Sequence, residues 1–349
     1  MRKALAAILG FMATLAASQA TAENVADFYK RQRINLIVGN GTGGGYDIYA
    51  RVLARHMSSY IPGNPSIIVQ NMPGAGGLRA ANYIYNVAAK DGTVFGTFAR
   101  NMPLLGLIKS NQNVQFDPVK FTWLGSSSSF GDDAYLLLVR RDAKIKSIEE
   151  ARRSGGPPII LGSTAEGASS DAIAILVRDW LGFNVKIIPG YRDSGVLFLA
   201  IERGEVDGRT VGLSAVRANR PDWLKPGGLT RALVVFGRAT RYPDFPDAPT
   251  AREIARNAED RNLIEILEIP YQLSRPFAGP PGVPPERAKA LQEAFLATHK
   301  DPGYIADAEK LGLDVSPIST RDVLGLIDRI AKTPADQLKR IEKLVTEGG

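Results

Sequence analysis

The chain has no cysteine and only two histidines, His56 and His299, in 349 residues. Without thiols there is no disulfide, Cys-ligated zinc, iron–sulfur cluster, cysteine nucleophile or thiol-linked lipid anchor. Two histidines argue against a multi-histidine metal site. Three tryptophans are too few for the aromatic platforms of a lectin or glycosidase. No run of five basic residues occurs, and the aromatic-basic interleaving of RNA readers is missing, so the formal charge of +7 is no nucleic-acid footprint. What remains is ordinary for a globular protein: 44% hydrophobic, 23% charged, and long enough for two domains. No cofactor, no metal and no nucleic acid are expected.

Residues 1–22 read as an address. Arg2 and Lys3 form a basic n-region, Ala4 to Leu15 an apolar stretch, and Ala20-Thr21-Ala22 a small-x-small cleavage signal. The apolar run is shorter than the roughly 20 residues a membrane span needs. Cleavage after Ala22, export to the periplasm and a mature charge of +5 follow as expectations.

In the mature chain, short apolar runs alternate with helical patterns. Strands are expected at 34–38, 66–69, 93–98, 135–140, 159–162, 185–189, 206–211 and 232–236. Helices are expected near 47–60, 78–89, 147–153, 169–181, 194–203 and 284–299. Alternation of this kind implies βαβ units and a mainly parallel sheet, which binds ligands beyond its carboxyl-terminal strand ends. Ser126–Ser129 with Gly131, and Pro226-Gly227-Gly228, mark boundaries. They predict a discontinuous first domain, 23–130 and 232–349, with a second domain, 131–231, inserted into it.

Two glycine loops carry the function. Gly39-Asn40-Gly41-Thr42-Gly43-Gly44-Gly45-Tyr46-Asp47 joins a strand to a helix, and Asn71-Met72-Pro73-Gly74-Ala75-Gly76-Gly77 repeats the arrangement one unit later. Glycines 39, 41 and 44 satisfy G-x-G-x-x-G. A dinucleotide site, however, needs an acidic residue ending the second strand, where this chain has Gln70-Asn71. The loops retain their physical content: backbone N–H groups and helix N-termini aimed at one rim make an anion site, suited to a carboxylate.

These motifs resemble the Bug receptors, the substrate-binding proteins of tripartite tricarboxylate transporters. The likeness continues through Lys90-Asp91-Gly92-Thr93, Gly190-Tyr191-Arg192-Asp193, Gly204-Glu205-Val206-Asp207-Gly208, Pro243-Asp244-Phe245-Pro246 and Arg275-Pro276-Phe277. It implies an α/β, periplasmic-binding-protein-like fold (type II, Venus-flytrap) of two α/β domains with a double hinge crossover. It also implies a monomeric receptor that captures a small carboxylate and delivers it to the transporter's membrane components. Carried over, the resemblance nominates Gly43, Gly44, Tyr46 and Asp47 in the first loop and Ala75, Gly76 and Gly77 in the second. From the second domain it nominates Ser163, Thr164, Ser169, Ser170, Asp193 and Ser194. The chain departs from the family at Asn40-Gly41-Thr42, where proline is common, and at Arg192, where glycine is usual. Glu166 is another departure: inside the pocket it would repel a carboxylate unless it points outward or pairs with Arg192.

The rival readings are a secreted hydrolase using the same cleft and a ligand sensor for a signalling partner. A serine hydrolase needs a histidine base, but both histidines fall within expected helices and read as surface or rim residues; no G-x-S-x-G elbow occurs. Asp132-Asp133 reads as a solvated hinge turn. Trp123, Trp180 and Trp223 read as packing. Arg217, Arg220 and Arg231 read as a solvated face, with Arg209 or Arg217 the alternative counter-ion for a second carboxylate.

Overall fold

The computed structural model describes residues 24–108, 113–131, 133–145, 147–164 and 168–346. The segment read as a signal peptide, together with Asp132 and Glu166, lies outside them.

Among the described residues eleven strands form two sheets. The first has the order β11-β4-β10-β3-β1-β2 and the second β7-β6-β8-β5-β9. In the first lie β1 (Arg33–Val38), β2 (Ser66–Asn71), β3 (Val94–Thr97), β4 (Thr122–Ser126), β10 (Pro276–Gly279) and β11 (Ile318–Ser319). In the second lie β5 (Tyr135–Arg140), β6 (Ile159–Gly162), β7 (Val185–Ile188), β8 (Gly208–Gly212) and β9 (Thr230–Phe236). The chain leaves the first sheet after β4 and returns to it at β10.

Two expectations change here. The sheets are mixed: β1 pairs in parallel with β2 and β3, and β6 with β7 and β8, but β4, β5, β9, β10 and β11 pair antiparallel. The strands next to the crossovers must run back along their neighbours, a constraint that local alternation does not reveal. The expected return at residue 232 also falls inside β9, which is registered against β5 in the second sheet. The first sheet is not rejoined until Pro276.

Burial explains the pattern. β5 is buried on both faces, with Tyr135 through Val139 all inside, and its sequence YLLLV is accordingly apolar throughout. Trp123, Trp180 and Trp223 are core residues, as expected. The helix Ala335–Thr346 packs on Ser169–Asp179, which tethers the end of the chain to the second lobe.

His56 lies at the surface between Asp301 and Asp307. His299 does not: it is 3% exposed, its Nδ1 facing the Phe295 carbonyl and its Nε2 the Tyr304 hydroxyl. The helical period around 284–299 turns it inward, and burial pushes its pKa down to about 4. Asp133 is also buried, accepting from the Ser214 N–H at 3.0 Å and the Ser214 hydroxyl at 2.7 Å, so it is no solvated turn.

His299 gives a prediction. The unfolded chain takes up a proton on this ring near pH 6.5, whereas the folded chain resists until about pH 4. Its contribution to stability is therefore complete above pH 6.5 and declines as the pH falls toward 4, by at most about 3 kcal/mol. His299→Phe should flatten this acid-side slope in urea unfolding measured at pH 7 and pH 4.5. Equal slopes in the two proteins would contradict the assignment.

Candidate functional site

The carboxyl ends of the parallel strands face one another across the gap between the sheets. β1 and β2 run into the two glycine loops, and β3 into Phe98-Ala99-Arg100. β6, β7 and β8 run into the loops that open the helices Ser169–Asp179, Ser194–Glu202 and Leu213–Asn219. The antiparallel strands contribute the residues where they begin. Phe277 in β10 sits opposite Thr97 in β3, so Arg275 lands on the same rim. Tyr135 in β5 sits opposite Gly212 in β8.

The glycine loops are locked to each other before any ligand is considered. A Cβ on Gly39 would lie 3.2 Å from both the Ala80 Cβ and the Gly77 Cα; Gly77 itself has φ +100° and comes as close to Ala99. Asp47, 1% exposed, accepts from the Gly43 N–H (2.9 Å), Arg51 Nε (2.9 Å) and the Asn71 amide (2.9 Å). The same Asn71 amide group donates to the Asn40 carbonyl. Burial opposes ionisation of Asp47, but these donors hold its pKa below the ordinary carboxylate range. Asp47 thus ties the two loops together and does not itself reach the cavity.

The cavity between the lobes has a volume of about 110 Å³. Of the thirteen nominated residues, Gly44, Tyr46, Gly76, Thr164, Ser169, Ser170, Asp193 and Ser194 line it. Gly43, Asp47, Ala75, Gly77 and Ser163 do not line it: Gly43 and Ala75 are exposed, Asp47 and Gly77 are buried, and buried Ser163 donates to the buried Asp171. First-turn N–H groups of the helices beginning at Gly45, Ser169 and Ser194 have no acceptor within their own helices. Their positive dipole ends point at the cavity.

Sequence reasoning missed two wall residues that dominate the electrostatics. Arg100 and Arg275, with Arg209, are each 2% exposed and all line the cavity. Among the described residues none of the three has a carboxylate within 4.0 Å, whereas Arg217 and Arg220 pair with Asp244 and Glu202 outside it. Arg100 lies over the Phe130, Tyr135 and Tyr271 rings, and Arg275 over Tyr46 and Tyr49. Arg209 makes only long bonds, 3.3–3.4 Å, to Thr210 and Ser194. Burial without a counter-charge pulls its pKa down to about 10. Among the described residues, Arg100 Nη1, Arg275 Nε and the Ser169 hydroxyl are buried with no partner.

Two of these cations converge. Arg275 Nη2 and Arg100 Nη2 lie 3.5 and 3.8 Å from the point a Cβ on Gly212 would occupy, so at most 7.3 Å separates them. At an effective dielectric constant of about 20, like charges about 7 Å apart repel by about 2 kcal/mol. Tyr46 accepts from the Arg100 N–H at 3.0 Å and Nε at 3.4 Å, which leaves its own hydroxyl hydrogen for another acceptor. Burial alone would raise this phenol's pKa, but Arg100 and Arg275 bring it below the ordinary value. Donors of this number and sign make a wall for an anion.

A family model, "Tripartite tricarboxylate transporter family receptor", matches residues 49–349. The chain belongs to this family. Protein BugT of Bordetella pertussis is 27% identical over 334 residues, covering 88% of this chain and 94% of that protein. A UPF0065 protein of Cupriavidus necator is 27% identical over 318 residues, covering 89% and 88%. Among solved structures, MatC from Rhodopseudomonas palustris with bound malate superposes with a TM-score of 0.67 at 20% identity, covering 90% of this chain and 99% of that one. Rpa4515 of R. palustris with adipate gives 0.68 at 20%, covering 90% and 97%. The periplasmic binding protein BugD gives 0.66 at 20%, covering 91% and 98%. The fold of this receptor is accordingly that of the periplasmic binding proteins, two α/β domains around a cleft. No described helix is long and apolar enough to cross a membrane.

Arg192 is largely exposed and bonds Asp193 at 3.1 Å. The lobes touch through Gly76, whose φ is +62° and whose Cβ would lie 3.3 Å from Ala168 of the opposite lobe. Gly76→Val should therefore strain the loop by about 1–2 kcal/mol and hold the lobes apart. Calorimetry should show binding of a small carboxylate weakened more than tenfold, while circular dichroism shows the fold retained. Unchanged affinity would remove Gly76 from the closing contact.

Proposed function

We propose that this receptor captures a small di- or tricarboxylate in the periplasm and hands it to the membrane components of a tripartite tricarboxylate transporter. The observation that carries this is the wall itself: three buried arginines without acidic partners among the described residues, beside helix N-termini and a free phenol donor. The bound malate and adipate of the structural neighbours are consistent with such a ligand. Gly44, Tyr46, Gly76, Thr164, Ser169, Ser170, Asp193 and Ser194 form the wall with the arginines. Of the other nominated residues, Gly43 and Asp47 fasten the glycine loops and Ser163 bonds the buried Asp171. Closure of the two lobes is a population shift driven by contacts that exist only when both meet the ligand.

We read no catalytic role into the cleft. Neither histidine lines it, and a serine nucleophile there would lack the imidazole base of a triad. Protein stripped of co-purified ligand should bind members of a carboxylate panel without turnover; steady hydrolysis of an ester or amide would favour the hydrolase reading. Arg275→Met should lower carboxylate affinity about 10- to 150-fold, the value of one charge-assisted hydrogen bond, with kinetics or calorimetry as the readout. Mass spectrometry of the exported chain should find an N-terminus at Glu23. An intact Met1 on exported protein would contradict the cleavage site.

A further inference from the structure

Arg100 is held by rings that come from the two stretches of chain joining the sheets. Its guanidinium carbon lies 4.9 Å from the centre of the Phe130 ring, 5.2 Å from that of Tyr135 and 5.1 Å from that of Tyr271. Phe130 belongs to the connection from β4 to β5, and Tyr135 opens β5. Tyr271 belongs to the connection from β9 back to β10, in the short helix Ile269–Leu273. The rings also meet one another: Phe130 stacks on Tyr271 at 5.9 Å, and Tyr135 meets Tyr271 at 5.0 Å. Phe130 and Tyr271 are buried and do not line the cavity, whereas Arg100 and Tyr135 do.

Phe130 occupies this place at a cost. Its φ is +60°, a left-handed conformation that is unfavourable for a bulky side chain and persists only where the surroundings enforce it. Gly237, just past β9, makes room for the ring: a Cβ there would lie 2.8 Å from the Phe130 ring and 3.0 Å from the Tyr271 Cβ. Arg238 Nη1 then donates to the carbonyls of Phe130 at 2.9 Å, Asp133 at 3.1 Å and Gly131 at 3.2 Å, which fastens the outgoing connection to the returning one. Ring faces attract a guanidinium without taking up its N–H groups. They fix Arg100 while its Nη1 has no partner among the described residues.

We infer that Phe130 and Tyr271 are positioning residues for anion capture, a cage drawn from both connections that fixes the Arg100 guanidinium at the cavity only while the lobes keep this relative position. This rests on the carboxylate-receptor reading above and adds residues, away from the cavity wall, that tie one cation of the wall to the connections between the lobes. Opening the lobes is absorbed by backbone rotation in those connections, which parts the rings and frees Arg100. The ligand thereby loses a fixed donor as the lobes separate, so the cage acts on release rather than on capture.

The experiment uses the mature protein freed of ligand, at pH 7.5. Succinate, malate, glutarate and adipate are titrated by calorimetry, and the tightest binder serves as the probe for stopped-flow kinetics. Tyr271→Leu, which keeps apolar bulk and removes the π face, should weaken the probe about 5- to 30-fold, nearly all of it as faster dissociation. Tyr271→Phe keeps the ring and loses only a 3.5 Å bond to the Ser169 carbonyl. It should stay within about twofold of the wild type. In an Arg100→Met background, Tyr271→Leu should shift affinity by less than about twofold, because the ring then has no cation to hold. Phe130→Leu should repeat the pattern and guards against a folding defect in the first variant. Equal losses from Tyr271→Leu with and without Arg100 overturn the cage and leave the receptor reading intact. So does a loss from Tyr271→Phe as large as that from Tyr271→Leu, a loss confined to the association rate, or wild-type affinity in Arg100→Met or in both leucine variants. Absence of binding by all four acids, with a normal melting transition, overturns the carboxylate reading and this inference with it.

Discussion

The structure turns on buried positive charge that no carboxylate among the described residues neutralises. Elsewhere buried carboxylates take up arginines: Glu268, fully buried, holds Arg252 at 2.5 Å, and Asp47 holds Arg51 at 2.9 Å. At the cleft, Arg100, Arg209 and Arg275 are as deeply buried but are left to aromatic faces, hydroxyls and carbonyls. Such groups disperse a guanidinium charge without cancelling it. The cost is borne at the contact of the two lobes, where an incoming anion is worth most.

The scaffold is organised to keep that charge in place. Parallel strands deliver glycine loops and helix N-termini to both rims, and the antiparallel strands beside the crossovers deliver Tyr135 and Arg275 to the same rims. Asp47 and Asn71 fasten the first loop to the second. Asp133 and Ser214 play a comparable part across the hinge, since Ser214 accepts from Arg275 Nη2 at 2.9 Å and donates to Asp133. Arg275 is thus oriented through a hydroxyl and kept at one remove from the nearest acid, so its charge remains available to the cavity.

Much of this was legible in the sequence. The strands and helices of the βαβ units follow from period and glycine punctuation, and eight of the thirteen nominated residues reach the cavity wall. The misses have physical causes. Asp47 sits at a helix start beside the anion loop, as a ligand-facing residue would, but the i to i+4 geometry gives its carboxylate to Arg51. His299 read as a surface or rim residue because it falls within an expected helix, while that helix ends by turning its ring inward. Arg100 carried a positional signal, four residues past the middle of β3 at a carboxyl strand end, that a search fixed on glycines overlooked.

The amino-acid order by itself determined the donors that belong to a short stretch of chain: loop amides, helix starts, and the hydroxyls beside them. Their spacing is local, so a strand–glycine–helix pattern suffices to place them. Only the tertiary structure decided which arginines are buried without a partner. Arg100, Arg209 and Arg275 are scattered over 175 positions, and nothing nearby in the chain separates them from Arg217 or Arg220. Whether a guanidinium finds a carboxylate depends on strand direction and on which ends of two sheets come together, and those are properties of the whole fold.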